Sequence, residues 1–123
     1  MAARALILFA HGSRDARWAE PFERVRALVT AAAGETRVEL AYLELMSPDL
    51  AAVLESVVSS GIIRIDIVPL FLGQGGHLRR DLPALVAGLQ AAHPGVDIRC
   101  APAAGEDPGV LAALASYCLQ TAR

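Results

Sequence analysis

Three residues in this chain have side chains suited to holding a metal or moving a proton, and each follows a stretch with strand or turn character. His11 closes the apolar run Ala5–Ala10, Glu44 comes just after Arg37–Leu43, and His77 follows Gly73-Gln74-Gly75-Gly76. Two imidazoles and a carboxylate suit a borderline divalent ion such as Co²⁺, Fe²⁺, Ni²⁺ or Zn²⁺. Three protein ligands without a cysteine make an open site, not a closed structural one. Imidazole also titrates near neutrality, so the same groups can accept protons. Residue types alone therefore allow a metal site, acid–base chemistry, or both. Each residue also has a plainer alternative, since a histidine after a strand is commonly a loop residue and most glutamates are simply solvated. The glycines before His77 let backbone come close to a ligand. They could instead cradle a phosphate, but they match neither GxGxxG nor GxxxxGK[ST]. His93, in AAHPG, reads as a helix-end cap and not a ligand. Trp18 and Phe22 read as core packing more than as crevice lining.

The elements that must position these residues alternate along the chain. Ala5–Ala10 reads as a strand covered on both faces. After a loop from His11 to about Ala19, Pro21 opens a helix with Phe22, Val25, Val29 and Ala32 on one stripe, ended by Gly34. Arg37–Leu43 is a second strand. Ser47-Pro48-Asp49 predicts a helix start with Ser47 as cap and Pro48 in first position, running to Gly61. Ile62–Phe71 holds a third strand, with Pro69 near its end. A third helix is expected over Asp81–Ala92, capped by Asp81, with Pro83 in its first turn. Val96–Ala101 is a fourth strand, and Asp107-Pro108 starts a last helix carrying Val110, Leu111, Leu114 and Leu119. This order implies an α/β fold with a parallel sheet and helices on both faces. In such sheets ligands bind beyond the carboxyl ends of the strands. With strand order 2-1-3-4, His11, Glu44 and His77 would converge on one crevice there.

The 123 residues suit a single domain spanning 1–123. The apolar fraction of 54% excludes a disordered chain. No apolar run approaches the roughly 20 residues of a membrane span. The N-terminal run stops at His11 with no cleavage signal after it, so a cytoplasmic location is expected. A net charge of −2 gives no sign of a nucleic-acid partner. Cys100 and Cys118 have no metal spacing and are expected as free, mostly buried thiols. All 11 basic residues are arginine. A guanidinium holds carboxylates in a planar fork, although coding bias explains the same count.

HGSRD at His11–Asp15, YLEL..P at Tyr42–Pro48 and VPLFLGQGGHLRRDLP at Val68–Pro83 resemble the sirohydrochlorin cobaltochelatase family, and more narrowly its short, single-domain form. The third motif is the most specific, and the resemblance spans nearly the whole chain. It implies the chelatase fold and insertion of Co²⁺ into sirohydrochlorin, with Fe²⁺ or Ni²⁺ in related members. It assigns the metal to His11 and His77 and places the acidic residue Glu44 beside it. It also implies a homodimer, two lobes around one cleft. Arg14, Arg17, Arg79 and Arg80 would then anchor the tetrapyrrole's carboxylates, with Gly75 and Gly76 lying against it. Where the family often has a Gly-x-His-Pro-like stretch, this chain has AGEDP at Ala104–Pro108. The resemblance therefore assigns no ligand to that loop.

Overall fold

The computed structural model describes residues 3–122. Four strands, β1 (Arg4–Ala10), β2 (Arg37–Tyr42), β3 (Arg64–Pro69) and β4 (Asp97–Cys100), form one parallel sheet in the order β2-β1-β3-β4. Four α-helices follow the strands in turn: α1 (Glu20–Ala32), α2 (Leu50–Ser59), α3 (Gly76–Ala92) and α4 (Pro108–Thr121). Short 3₁₀ turns, Ala16–Ala19 and Ala104–Glu106, precede α1 and α4. No helix among the described residues is long and apolar enough to cross a membrane.

Strand side chains alternate between two cores, as the pleat demands. Ala5, Ile7, Phe9, Ile65, Ile67 and Ile98 face α2 and α3. Leu8, Ala10, Val38, Leu40 and Tyr42 face α1, with Trp18 and Phe22 packed among them at a ring separation of 4.5 Å. The two aromatics are partly buried and pack against this core, as their pattern suggested.

Several expectations are corrected. Asp49, not Ser47, caps α2: its side chain accepts the Ala52 N–H at 2.8 Å, and Pro48 instead offers its carbonyl to the Tyr42 N–H at 3.0 Å. The helix α3 begins at Gly76, not Asp81, so Asp81 and Pro83 lie inside it and His77 stands in its first turn. The reason is the stripe Leu78, Leu82, Val86 and Leu89 packed on the sheet, which holds the helix through the bond that Pro83 cannot donate. Both cysteines are free but exposed, Cys100 because it stands on the edge strand and Cys118 because α4 is uncovered. His93 does close α3, its N–H reaching the carbonyls of Leu89 and Gln90.

Candidate functional site

The carboxyl ends of β1, β2 and β3 carry the chemistry. The β1–β2 ladder continues past both strands: Leu43 N–H donates to Ala10 O at 2.9 Å, and Glu44 N–H to His11 O at 3.1 Å. This carries His11 and Glu44 side by side to the sheet edge. There His11 Nε2 and Glu44 Oε1 stand 3.1 Å apart, with both side chains about half exposed. A carboxylate can only accept, so in the neutral ring this bond places the proton on Nε2 and leaves the lone pair on Nδ1. A carboxylate that fixes the tautomer in this way also orients a histidine for metal binding. The imidazole rests edge-on against Phe71, with centroids 6.1 Å apart, and Phe71 is itself buried against Phe9.

Two backbone features that sequence reasoning passed over hold this pair. Gly12 has φ +100°, and a Cβ there would overlap the carbonyl oxygen of Glu44. That same carbonyl accepts the Met46 N–H at 2.8 Å across Leu45, whose φ of 65° is left-handed for a residue with a branched side chain. The glycine of HGSRD was visible in the sequence, but nothing in its neighbours marked what it approaches. Phe71 and Leu45 gave no sequence signal beyond hydrophobicity.

His77 is exposed, on the first turn of α3 after the extended Gly75. The structure joins His11 to Glu44 but does not gather His77 with them: among the described residues no three His, Cys, Asp or Glu side chains are grouped to hold one ion. Arg17 has its fork turned onto Asp15, at 3.2 and 3.0 Å, and that guanidinium holds the Asp15 carboxyl below its ordinary value. Arg80 folds back so that its Nε donates to Gly76 O at 3.2 Å. Arg14 and Arg79 are exposed. The loop Ala104–Pro108 contributes no imidazole. Its Gly105 N–H instead donates to Phe71 O at 2.8 Å, and its Cα lies so close to Leu72 O that no Cβ would fit.

Residues 5–121 match the family model described as CbiX. The chain belongs to the CbiX family. Family members of known structure share its fold: a CbiX protein from Marinobacter aquaeolei VT8 is 36% identical, with a TM-score of 0.84 over 96% of both chains. The sirohydrochlorin chelatase SirB from Bacillus subtilis subspecies spizizenii, in complex with cobalt, is 26% identical, with a TM-score of 0.75 over 87% of this chain and 45% of that one. In sequence, the sirohydrochlorin cobaltochelatase of Methanopyrus kandleri is 30% identical over 67% of this chain. The matched stretch spans 57% of that relative's length.

Proposed function

We propose that this CbiX-family chain is a sirohydrochlorin metal chelatase that inserts Co²⁺. The observation that carries the reading is the His11–Glu44 pair at the carboxyl edge of the sheet, which sets an imidazole beside a carboxylate. Relatives named sirohydrochlorin cobaltochelatase and a SirB structure with cobalt support the substrate and the metal. A further SirB structure, from Bacillus subtilis with Fe³⁺, supports Fe²⁺ insertion as the second reading.

In this reading His11 and His77 hold the incoming ion on neutral imidazole nitrogens, and the substrate or a second copy of the chain closes the distance between them. Two copies facing one cleft is the assembly it carries. Insertion displaces two pyrrole protons, and Glu44 or a histidine accepts them. Arg14, Arg79 and Arg80 grip the substrate's carboxylates, joined by Arg17 if it leaves Asp15. That pair is exposed and screened by solvent, so it is cheap to break. Gly75 and Gly76 let the ring lie close to the start of α3.

The test is an anaerobic assay of purified protein with sirohydrochlorin and either Co²⁺ or Fe²⁺, with the spontaneous rate subtracted. Many products per subunit support a chelatase, and the two rates rank the metals. Binding of the ring without turnover makes the protein a tetrapyrrole carrier instead. Glu44→Gln keeps the shape but loses the carboxylate, so kcat is expected to fall about 10²-fold with KM little changed. A change confined to KM would reassign Glu44 to binding. For the arginines, Arg79→Ala and Arg80→Ala are each expected to raise KM severalfold, and more at low ionic strength than at 0.5 M salt. If KM does not move at either salt concentration, both are ordinary solvated charges.

A further inference from the structure

One hydrogen bond does not set the plane of a ring. The His11–Glu44 bond ties Nε2 to a carboxylate at 3.1 Å, but both side chains are about half exposed. A contact of that kind is weak and leaves the imidazole free to swing about it. A second hold is needed, and Phe71 supplies it. Its ring lies 6.1 Å from the imidazole, centroid to centroid, at an interplanar angle of 71°. Phe71 is only 4% exposed and leans on the fully buried Phe9 at 5.7 Å. An aromatic ring packed in this way is a rigid wall. Yet Phe71 stands outside the sheet. The strand β3 ends at Pro69, and its ladder runs on only to Leu70, whose N–H donates to Phe9 O at 2.8 Å. A glycine-rich loop begins at Gly73. Among the described residues, 71–74 make one backbone hydrogen bond, from Gly105 N–H to Phe71 O at 2.8 Å.

That bond comes from the 3₁₀ turn Ala104–Glu106, which follows β4. The turn is anchored by Ala103, 3% exposed in the same core, and closed by Glu106 N–H on Ala103 O at 2.9 Å. The backbone of Gly105 is not left-handed, so contact alone excludes a side chain there: a Cβ would overlap Leu72 O, beside Phe71. Any larger residue must push the segment that carries Phe71 off the turn. We propose that Phe71 is the positioning residue for His11 and that Gly105 holds it in place, so that the loop after β4 acts on the imidazole without touching it. The line runs by backbone from Gly105 to Phe71, and by ring contact from Phe71 to His11. With Nε2 tied to Glu44 and the ring plane set by Phe71, the neutral imidazole offers the same Nδ1 lone pair to each incoming ion. Without the second hold, the ring samples orientations in which that lone pair misses the ion. Groups that orient a metal ligand typically contribute about tenfold to a hundredfold in affinity or rate. This role rests on the reading of His11 as a residue that holds the metal.

The chain has three histidines, so single His→Ala variants assign their ring signals in a magnetic resonance spectrum. Spectra of the full chain are recorded at about pH 8, above the ordinary imidazole range, first alone and then with cobalt chloride as the only addition. Ring-nitrogen shifts are the readout, because loss of an aromatic neighbour moves proton shifts by itself. In wild type, His11 is expected as the Nε2-protonated tautomer, and its signals should broaden as Co²⁺ is added. Phe71→Leu keeps an apolar side chain in the core but removes the ring, and Gly105→Ala keeps the ring but moves it. In both, His11 is expected to show mixed tautomers. The Co²⁺ concentration that half-broadens its signals should rise about tenfold or more, and kcat for insertion should fall by a similar factor with KM little changed. Ile98→Val thins the same core on β4 and is the control for lost stability: its Tm should fall while His11 and its Co²⁺ response stay as in wild type. A folded Phe71→Leu or Gly105→Ala with an unchanged His11 spectrum and Co²⁺ response overturns the positioning. So does Ile98→Val disturbing His11 as much as Phe71→Leu, since general loosening then explains the effect. If Gly105→Ala fails to fold, Phe71→Leu against Ile98→Val still decides. If Co²⁺ leaves His11 unbroadened in wild type, the metal reading of His11 falls instead, and the tautomers still decide whether Phe71 sets the ring.

Discussion

His11→Ala is expected to lower the rate of cobalt insertion about 10²-fold or more while the protein stays folded. The side chain is about half exposed, and the backbone atoms that continue the ladder, His11 O among them, remain. Its loss should cost no more than about 0.5 kcal/mol of stability, the ordinary range for a surface position. Activity is different, because the substitution removes the nitrogen whose lone pair Glu44 has oriented. In the proposed reading, where His11 and His77 hold the ion, the loss leaves one imidazole to do so. His77→Ala should have a comparable effect on rate, and it too leaves the core untouched, since His77 is exposed on the first turn of α3. The measurement is the anaerobic insertion assay on both variants, with thermal melts alongside. Wild-type rates in both would remove the histidines from the reaction. Loss in His11→Ala alone would leave the His11–Glu44 pair as the whole of the metal-handling machinery.

Much of this architecture could be read from the chain because its signals are local and agree with one another. Apolar runs rich in β-branched residues alternate with helical stripes, and that alternation with short connections leaves few topologies besides order 2-1-3-4. The sequence was a poorer guide where a tertiary contact outweighs a local preference. Pro83 reads as a helix opener, yet the packing of Leu78, Leu82 and Leu89 carries α3 back to Gly76. Ser47 reads as a cap, but the Tyr42–Pro48 bond leaves that role to Asp49. The site divides in the same way. His11 and Glu44 were legible as polar residues after strands, and the parallel ladder then fixed them as neighbours. Gly12, Leu45 and Phe71 were not legible, because their roles arise only once two loops meet. The exposure of α4 was hidden as well: PGVLAALASYCLQT has the composition of a buried helix, and only the fold reveals that its own core does not receive it.

Gly12→Ala should do what the histidine variants do not, and lower stability and activity together. An L-residue at φ +100° bears strain of about 1–3 kcal/mol, and the added Cβ would overlap the Glu44 carbonyl. That carbonyl cannot easily retreat, because it is held by the Met46 N–H across the left-handed Leu45. The two loops must therefore part. Parting them stretches the bond from Glu44 N–H to His11 O and separates the His11–Glu44 pair. A fall in Tm of about 3–15 °C is expected, given roughly 3–5 °C per kcal/mol for a chain of this size. Insertion should be impaired even well below the new Tm. Gly75→Ala is the matched control. Its φ is −70°, and a Cβ there meets nothing within 4 Å, so the chain itself does not require glycine at that position. Its Tm should fall by no more than a few degrees, the cost of alanine at the N-cap of α3. If its KM for sirohydrochlorin rises nonetheless, the demand for glycine comes from the substrate lying against the start of α3. If KM is unmoved, the tetrapyrrole binds elsewhere and Gly75 leaves the site. A Gly12→Ala protein with wild-type Tm and activity would mean that the two loops separate freely, and that the His11–Glu44 geometry is not what the reaction depends on.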